Sequence, residues 1–262
     1  LRQQAGQQLL LTLKRGAAAA HRSVVVPVPL DRDAALRYGD GVEGTRARVS
    51  AASAGRIGYL HLRAMTVNDM ASFVREFYAN VEREGLIIDV RRNRGGNIDS
   101  WIIEKLLRRA WAFWQPPGAA PYPNMQQTFR GQLAVLIDPF TYSDGETFAA
   151  GIKALKLAPV IGTRTSGAGI WLTDRNRLAD NGVARVAEFG QFDLQGRWLI
   201  EGRGVAPDIE VDNLPVATAQ GGDAQLDAAI ANVLQRLREA PLPALKAQPL
   251  PARGTPGHDG TP

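Results

Sequence analysis

The chain of 262 residues carries 31 basic and 26 acidic side chains, and 45% of its residues are hydrophobic. This balance is typical of a soluble globular protein with enough chain for a sizeable core. The absence of cysteine excludes a disulfide framework and a thiolate metal site and fits a reducing, cytoplasmic compartment. The basic residues are dispersed and no apolar run reaches the roughly 20 residues of a membrane span, so we expect no nucleic-acid surface and no membrane segment.

The first 54 residues predict the end of a small β domain followed by a linker. The runs "QQLLLTLKRG" and "RSVVVPVPL" are β-rich, and two strands alone are marginally stable. Because the chain also starts at Leu1 rather than at a methionine, we expect it to be a fragment, with residues 1–30 the last strands of a domain that begins upstream. Residues 31–54 are charged, Ala-rich and interrupted by glycines, so they predict a linker with weak helical character.

From Gly55 onward, strand and helix patterns alternate. The order is strand "RIGYLHL", helix "TVNDMASFVREFYANVERE", strand "GLIIDV", helix "IDSWIIEKLLRRAWAF", strand "QLAVLID", a helix after "SDG", and strand "APVIG". This order predicts an α/β fold, a parallel sheet with helices on its faces. Short strands within residues 175–211 ("VARVAEF", "RWLIE", "DIEV") predict an antiparallel extension. A last helix ends near residue 240, and the Pro- and Gly-rich residues 241–262 are expected to be disordered.

Two strand-to-helix turns have an unusual composition. The turn "NRGGN" places Gly95 and Gly96 after a strand, where missing Cβ atoms let backbone N–H groups approach a ligand closely. The turn "TYSDG" places Ser143, followed by Asp144, at the start of the next helix. If these turns are neighbours, they form the geometry of acyl transfer, a serine nucleophile beside an oxyanion hole. The same residues also fit a plain N-cap and a plain loop, whereas a phosphate site is disfavoured because neither GxxxxGK[ST] nor a complete GxGxxG is present.

Five motifs resemble, in order, the C-terminal catalytic domain of the tricorn protease family, within the broader tail-specific serine peptidase group. They are "RIGYLHLRAM", "GLIIDVRRNRGGN", "LIDPFTYSDGETFA", "VIGTRTSGAG" and "GRGVAPDIEV". The resemblance covers residues 55–240 and implies a ClpP/crotonase-like fold and a cytoplasmic serine peptidase that acts on peptides, needs no cofactor and forms a homo-oligomer. Residues 1–30 are similar to the closing strands of the PDZ-like domain that precedes this catalytic domain.

The resemblance also implies roles for individual residues. Ser143 matches the nucleophile, and the N–H groups of Gly96 and Asp144 match the oxyanion hole. Glu201, in "IEGRGVAPD", matches the acidic member of the family's Ser-His-Ser-Glu tetrad, although by itself it also fits a surface carboxylate at a strand end.

Substrate contacts are expected at two further positions. Gly95 belongs to the turn beside the expected oxyanion hole. Trp114 stands where the family has an aspartate that selects basic residues, so an apolar or aromatic-lined pocket is expected instead.

The sequence offers no evident base for the serine, whose hydroxyl is a weak nucleophile until a neighbour takes its proton. The histidines are His21 in a loop, His61 in a strand and His258 in the tail, and a strand histidine is more often a satisfied core residue than a base. The segment "GTRTSGAG" lacks the lysine that C-terminal-processing peptidases carry there. In the tricorn family the histidine comes from an earlier domain, so we expect this chain to be inactive alone. Two alternatives stay open: a non-catalytic peptide-binding or assembly module, and a crotonase-like acyl-CoA enzyme.

Overall fold

The computed structural model describes residues 3–249, which divide into two compact units at Arg48 and Val49. The helices are α1 Leu30–Ala52, α2 Val67–Ala79, α3 Asp99–Leu107, α4 Asp144–Ala154, α5 Pro215–Ala219 and α6 Ala224–Glu239. The strands are β1 Leu9–Leu13, β2 His21–Val25, β3 Ile57–His61, β4 Gly85–Asp89, β5 Phe113–Trp114, β6 Tyr122–Pro123, β7 Gln132–Ile137, β8 Val160–Gly162, β9 Trp171–Leu172, β10 Ala187–Phe189 and β11 Ile209–Glu210. Within this described part, no helix combines the length and apolarity needed to cross a bilayer.

The first unit contains an antiparallel ribbon and most of a long helix. Strands β1 and β2 pair from Leu9 opposite Val25 to Leu13 opposite His21. The segment expected to be weakly helical is the continuous 23-residue helix α1. An ion pair one turn apart between Asp33 and Arg37 supports it, and such a length lets each added hydrogen bond offset the cost of nucleation.

The second unit is built on a five-stranded sheet in which every pairing is parallel. The strand order is β11-β8-β7-β4-β3. Strand β4 is buried along its whole length, as its continuous apolar sequence predicts. Alternate residues of the strands pack with helices α2, α3 and α4 in one apolar core, while helix α6 contacts β4, β7 and β8. The predicted α/β fold class is confirmed.

Residues 171–211 differ in part from the predicted antiparallel extension. An antiparallel pair is present, but it joins β9 to β10, and the segment "RWLIE" makes only an isolated bridge between Trp198 and Phe192. The segment "DIEV" supplies β11, which pairs parallel with β8 and so extends the main sheet. Asp208 determines this outcome, because its carboxylate accepts the Val160 N–H at 2.8 Å and pairs with Lys153 of α4.

Helix α3 is shorter than its sequence pattern predicts. It ends at Leu107, and Arg108 is extended with ψ of 140°. Beyond it, Phe113, the last residue of the predicted helix, and the following Trp114 pair with Tyr122–Pro123 as a short ribbon. Trp114 therefore lies on a β-ribbon.

A buried ion-pair network closes the carboxyl end of β4. Arg91 donates to Asp89 at 2.7 Å and to Asp223 at 2.8 Å, and Tyr59 donates to Asp89 at 2.9 Å. Burial alone would raise the pKa of Asp89, but the adjacent Arg91 charge holds it below its usual value. Asp223 is the N-cap of α6 and accepts the Leu226 N–H, so the network attaches this helix to the sheet.

We predict that Arg91→Ala lowers the free energy of unfolding by about 3–5 kcal/mol, because it leaves two partly or fully buried carboxylates without their cation. Urea unfolding would measure the change. Arg75→Ala is the control, since Arg75 forms only an exposed pair with Glu76 and should change stability little. Equal effects of the two substitutions would contradict the role assigned to the network.

Candidate active site

The two turns singled out in the sequence lie side by side, because β4 and β7 are neighbours in the sheet and both turns follow carboxyl ends. Tyr142 donates its N–H to the carbonyl of Asn93 at 2.9 Å. The expected convergence of the glycine-rich turn and the serine turn is therefore present.

Buried polar side chains fix the shape of both turns. The amide of Asn93 accepts the Gly95 N–H at 2.8 Å and donates to the Leu62 carbonyl at 2.8 Å. Across the gap, Asp138 accepts the Arg92 N–H at 2.9 Å. Buried side chains thus hold the two loops through hydrogen bonds to the loop backbones. Substitutions of surface side chains would leave these hydrogen bonds in place.

The two glycines of the first turn are required by close approach and by conformation. A Cβ on Gly96, whose φ is 150°, would lie 1.8 Å from the Met65 carbonyl oxygen. A Cβ on Gly95, whose φ is 78°, would lie 3.0 Å from Ser143 Oγ and 2.6 Å from its Cβ. Gly95 therefore lies directly against the serine side chain, and any other residue there would push it away.

Ser143 precedes α4 in a backbone conformation that non-glycine residues rarely adopt, with φ of 53° and ψ of −119°. A plain N-cap residue is normally in the β region. Such strain persists only where the surroundings hold it, and it is concentrated at functional sites. The conformation therefore favours the nucleophile interpretation over the plain N-cap.

Two backbone N–H groups next to this serine are available as donors. In the Met65–Gly96 bridge, the Met65 N–H donates to the Gly95 carbonyl and the Met65 carbonyl accepts the Asn97 N–H, both at 2.8 Å. This pairing directs the Gly96 N–H away from Met65. Within residues 3–249, neither the Gly96 N–H nor the Asp144 N–H has a hydrogen-bond acceptor. Unpaired donors near a nucleophile are the groups that stabilise a developing oxyanion.

The Asp144 side chain has a separate structural role. It is 1% exposed, and its Oδ2 accepts the N–H groups of Ile98 at 2.8 Å and Asp99 at 3.2 Å, the first residues of the α3 turn. Its Oδ1 has no partner in the described residues. Burial first, and then the nearby Asp99 carboxyl, raise the pKa of Asp144 to about 7.

Glu146 is a site residue that the sequence analysis missed. Its carboxylate is fully buried and accepts the Ser143 N–H at 3.0 Å. The available signal was the Ser-x-x-Glu spacing of a capping box, the same kind of pattern as in "TVND" at the start of α2.

Glu201 is exposed, and its side chain accepts two backbone hydrogen bonds. Its Oε2 accepts the N–H groups of Gly169 at 2.8 Å and Ile170 at 2.9 Å. The turn that carries it is tight, because Arg203 and Gly204 both donate to the Ile200 carbonyl. These contacts tie Glu201 to the loop that follows β8, and its assignment as a member of the catalytic tetrad stays a prediction.

No base lies against the serine in the described residues. No hydrogen bond joins Ser143 Oγ to a histidine or lysine between residues 3 and 249. The His61 ring nitrogen Nε2 lies 3.0 Å from the Arg91 carbonyl oxygen, and His21 is exposed at the start of β2. His258 lies outside the described residues.

Trp114 has a side chain that is 56% exposed on the β5–β6 ribbon. Within the described part of the chain, no hydrogen bond or ring contact connects it to the turn of Ser143. Its place in a substrate pocket stays a prediction.

A parallel α/β sheet with a strained serine at a strand-to-helix turn is an arrangement found in serine hydrolases of the α/β class. The family model described as peptidase family S41 matches residues 56–211. Tricorn protease homolog 1 of Streptomyces coelicolor is 40% identical over 90% of this chain and 22% of its own length. The tricorn protease of Thermoplasma acidophilum is 33% identical over 91% of this chain and 22% of its own length.

A solved structure agrees with these relatives. The crystal structure of the tricorn protease has a TM-score of 0.82 and 32% identity, over 90% of this chain and 23% of that one. The chain belongs to peptidase family S41. The resemblance to the tricorn family is confirmed, and the chain spans less than a quarter of the length of these relatives.

We predict that the stability contributed by Asp144 falls as pH rises. Its pKa is about 7 when folded and close to 4 when unfolded, so between these values the folded chain binds a proton that the unfolded chain releases. Stability is therefore lost from about pH 4 to 7. Asp144→Asn mimics the protonated form and should unfold with a smaller pH dependence than the wild type in urea at pH 5 and pH 8. Asp174→Asn, at an exposed aspartate, controls for the loss of one negative charge; identical pH slopes for wild type and Asp144→Asn would refute the prediction.

Proposed function

We propose that this chain is the nucleophile-bearing core of a tricorn-like serine peptidase that hydrolyses peptides through an acyl-enzyme. The observation that carries the proposal is the strained backbone of Ser143, held with its side chain against Gly95. The similarity to tricorn proteases supports peptides as the substrate class.

The proposed reaction uses the two free backbone donors. Ser143 Oγ attacks the carbonyl carbon of the scissile peptide bond and gives its proton to a base. The carbonyl oxygen becomes an oxyanion that accepts hydrogen bonds from the N–H groups of Gly96 and Asp144. The tetrahedral intermediate collapses, the leaving amine takes the proton, and water later releases the second product from the acyl-enzyme by the same route.

The proposal assigns the base to residues outside this chain, as the tricorn resemblance implies; within residues 3–249 no histidine or lysine bonds Ser143. Glu201 would orient that base, and its two backbone hydrogen bonds would hold its carboxylate in place for this purpose. Gly95 and Trp114 would contact the substrate, and the reaction requires no cofactor.

The remaining expectations belong to the same proposal. Residues 1–30 would close a PDZ-like domain, residues 31–54 would link it to the catalytic domain of residues 55–240, and residues 241–262 would form a tail, of which 250–262 lie outside the described residues. The absence of cysteine supports a cytoplasmic enzyme, and the tricorn resemblance supports a homo-oligomer.

The test compares this 262-residue chain with the complete protein, meaning this chain together with every residue encoded with it. The chain alone should not cleave peptides, because loss of the base leaves only about 10³- to 10⁴-fold acceleration over water. The complete protein should cleave them and should react with a fluorophosphonate at Ser143. Ser143→Ala should abolish both, Glu201→Gln should lower the rate steeply, and Ser100→Ala, at an exposed serine, is the control.

Cleavage by the isolated chain that depends on His61 would refute the missing-base proposal. An unlabelled Ser143 in the complete protein would instead favour a non-catalytic binding module.

Trp114 generates a prediction about specificity. In the complete protein, Trp114→Asp should raise kcat/KM for substrates with Arg or Lys before the cleaved bond relative to aromatic ones, because an acidic group would replace an apolar wall. Trp111→Asp, at a neighbouring exposed tryptophan, is the matched control. A change in the ratio of less than about twofold, small against the 10- to 200-fold that one pocket contact can supply, would show that Trp114 does not line the pocket.

A further inference from the structure

Glu146 forms an unusual centre of hydrogen bonds. Its side chain is fully buried on the first turn of α4 and accepts five donors, the Ser143 N–H and four groups of residues 165–168. The four are Thr165 Oγ1 at 2.6 Å, Ser166 Oγ at 3.1 Å, the Gly167 N–H at 2.7 Å and the Ala168 N–H at 2.9 Å. Within residues 3–249 no lysine or arginine pairs with it.

A buried carboxylate held only by neutral donors is costly, since desolvation of its charge is not offset by a cation. Helix capping alone does not require it, because the Glu or Gln of a capping box bonds one N–H group, that of the N-cap residue. The arrangement therefore calls for an explanation beyond the stability of α4.

The geometry provides one, because Glu146 bonds the backbone of the strained residue itself. Ser143 donates its N–H to Oε2 at 3.0 Å. This hydrogen bond holds the peptide group that precedes the Ser143 Cα and so restrains the rotation about the N–Cα bond, whose φ is 53°. The loop of residues 165–168 occupies the other positions around the same carboxylate. The next two N–H groups of that loop, from Gly169 and Ile170, are bonded to Glu201.

We propose that Glu146 is a positioning residue for Ser143, one that holds the serine turn in its reactive conformation and connects it through residues 165–168 to Glu201. This inference rests on the proposed function. Glu146 does not touch the reacting atoms; it acts through the backbone of Ser143 and through the loop.

A carboxylate suits this role and an amide does not. Both carboxylate oxygens face donors, two at Oε1 and three at Oε2, so neither position accepts an NH₂ group. In Glu146→Gln, the NH₂ group would face at least one backbone N–H, either that of Gly167 or those of Ser143 and Ala168. The volume is preserved, so the change removes acceptors without opening a cavity.

The first measurement is kinetic and uses the complete protein. Glu146→Gln should lower kcat by about ten- to a hundredfold, the loss expected for a hydrogen bond to a charged group, with KM changed less than about twofold. Rates are divided by the concentration of folded protein. Val233→Ala, in the buried face of α6, is the control, because it should lower the melting temperature while leaving kcat per folded molecule unchanged.

The second measurement is hydrogen exchange of the same protein in peptides covering 140–150 and 163–172. Glu146→Gln should speed exchange in both peptides by about tenfold or more, while the Val233→Ala control should not do so selectively. This readout does not depend on catalysis.

The outcomes separate the two proposals. Cleavage that needs Ser143 but is unchanged by Glu146→Gln would overturn the positioning role and leave the peptidase function standing. If the wild type shows no cleavage that depends on Ser143, the proposed function fails, and unchanged exchange in both peptides would then overturn the link made by Glu146 as well.

Discussion

The parallel pairing of β4 with β7 is the constraint on which the site depends. Because both strands end at the same edge, the turns that follow them must share one space. Backbone groups and buried acceptors such as Asn93 and Glu146 organise that space. The burial of β4 on all its residues keeps this edge rigid, so small shifts of either turn are resisted by the whole core.

Asp144 combines two functions in one residue. Its N–H lies beside the serine and has no acceptor in the described part of the chain, while its carboxylate binds the first N–H groups of α3. The glycine-rich turn, which carries the Gly96 N–H donor, leads directly into α3. The Asp144 carboxylate therefore links this segment to Asp144, whose own N–H is the second donor. Burial, and then the nearby Asp99 carboxyl, raise the pKa of the Asp144 carboxyl to about 7, which is the electrostatic cost of placing this attachment at a buried position.

The sequence predicted the parts of this molecule that depend on local pattern. Continuous apolar runs indicated the buried strands, and Gly95, Gly96 and Ser143 marked the turns because their residue types are demanded by backbone geometry. The parallel pairing of Ile209–Glu210 with β8 could not be predicted from the sequence, because a two-residue strand has no periodicity. Its position depends on the hydrogen bond between Asp208 and Val160, which are far apart in sequence. Glu146 was missed for a related reason: its spacing from Ser143 is visible, but four of its five donors come from a loop about 20 residues later. The end of α3 was misjudged because residues 108–113 continue an apolar pattern that fits a helix, whereas Phe113 pairs with Pro123 in a two-residue ribbon.

The bridge between Met65 and Gly96 has a consequence for how this sequence can change length. In such a pairing, successive N–H groups point alternately toward and away from the partner segment. The Gly96 N–H therefore points outward only because Gly96 is the residue that pairs with Met65. An insertion or deletion between Asp89 and Gly96 that shifted the pairing with Met65 by one residue would turn that N–H inward and present a carbonyl oxygen in its place. The stretch between β5 and β6 carries no comparable requirement, since a Cβ on its Gly118 would meet open space. Lineages descended from a common ancestor should therefore show insertions and deletions in the second segment and a fixed length in the first.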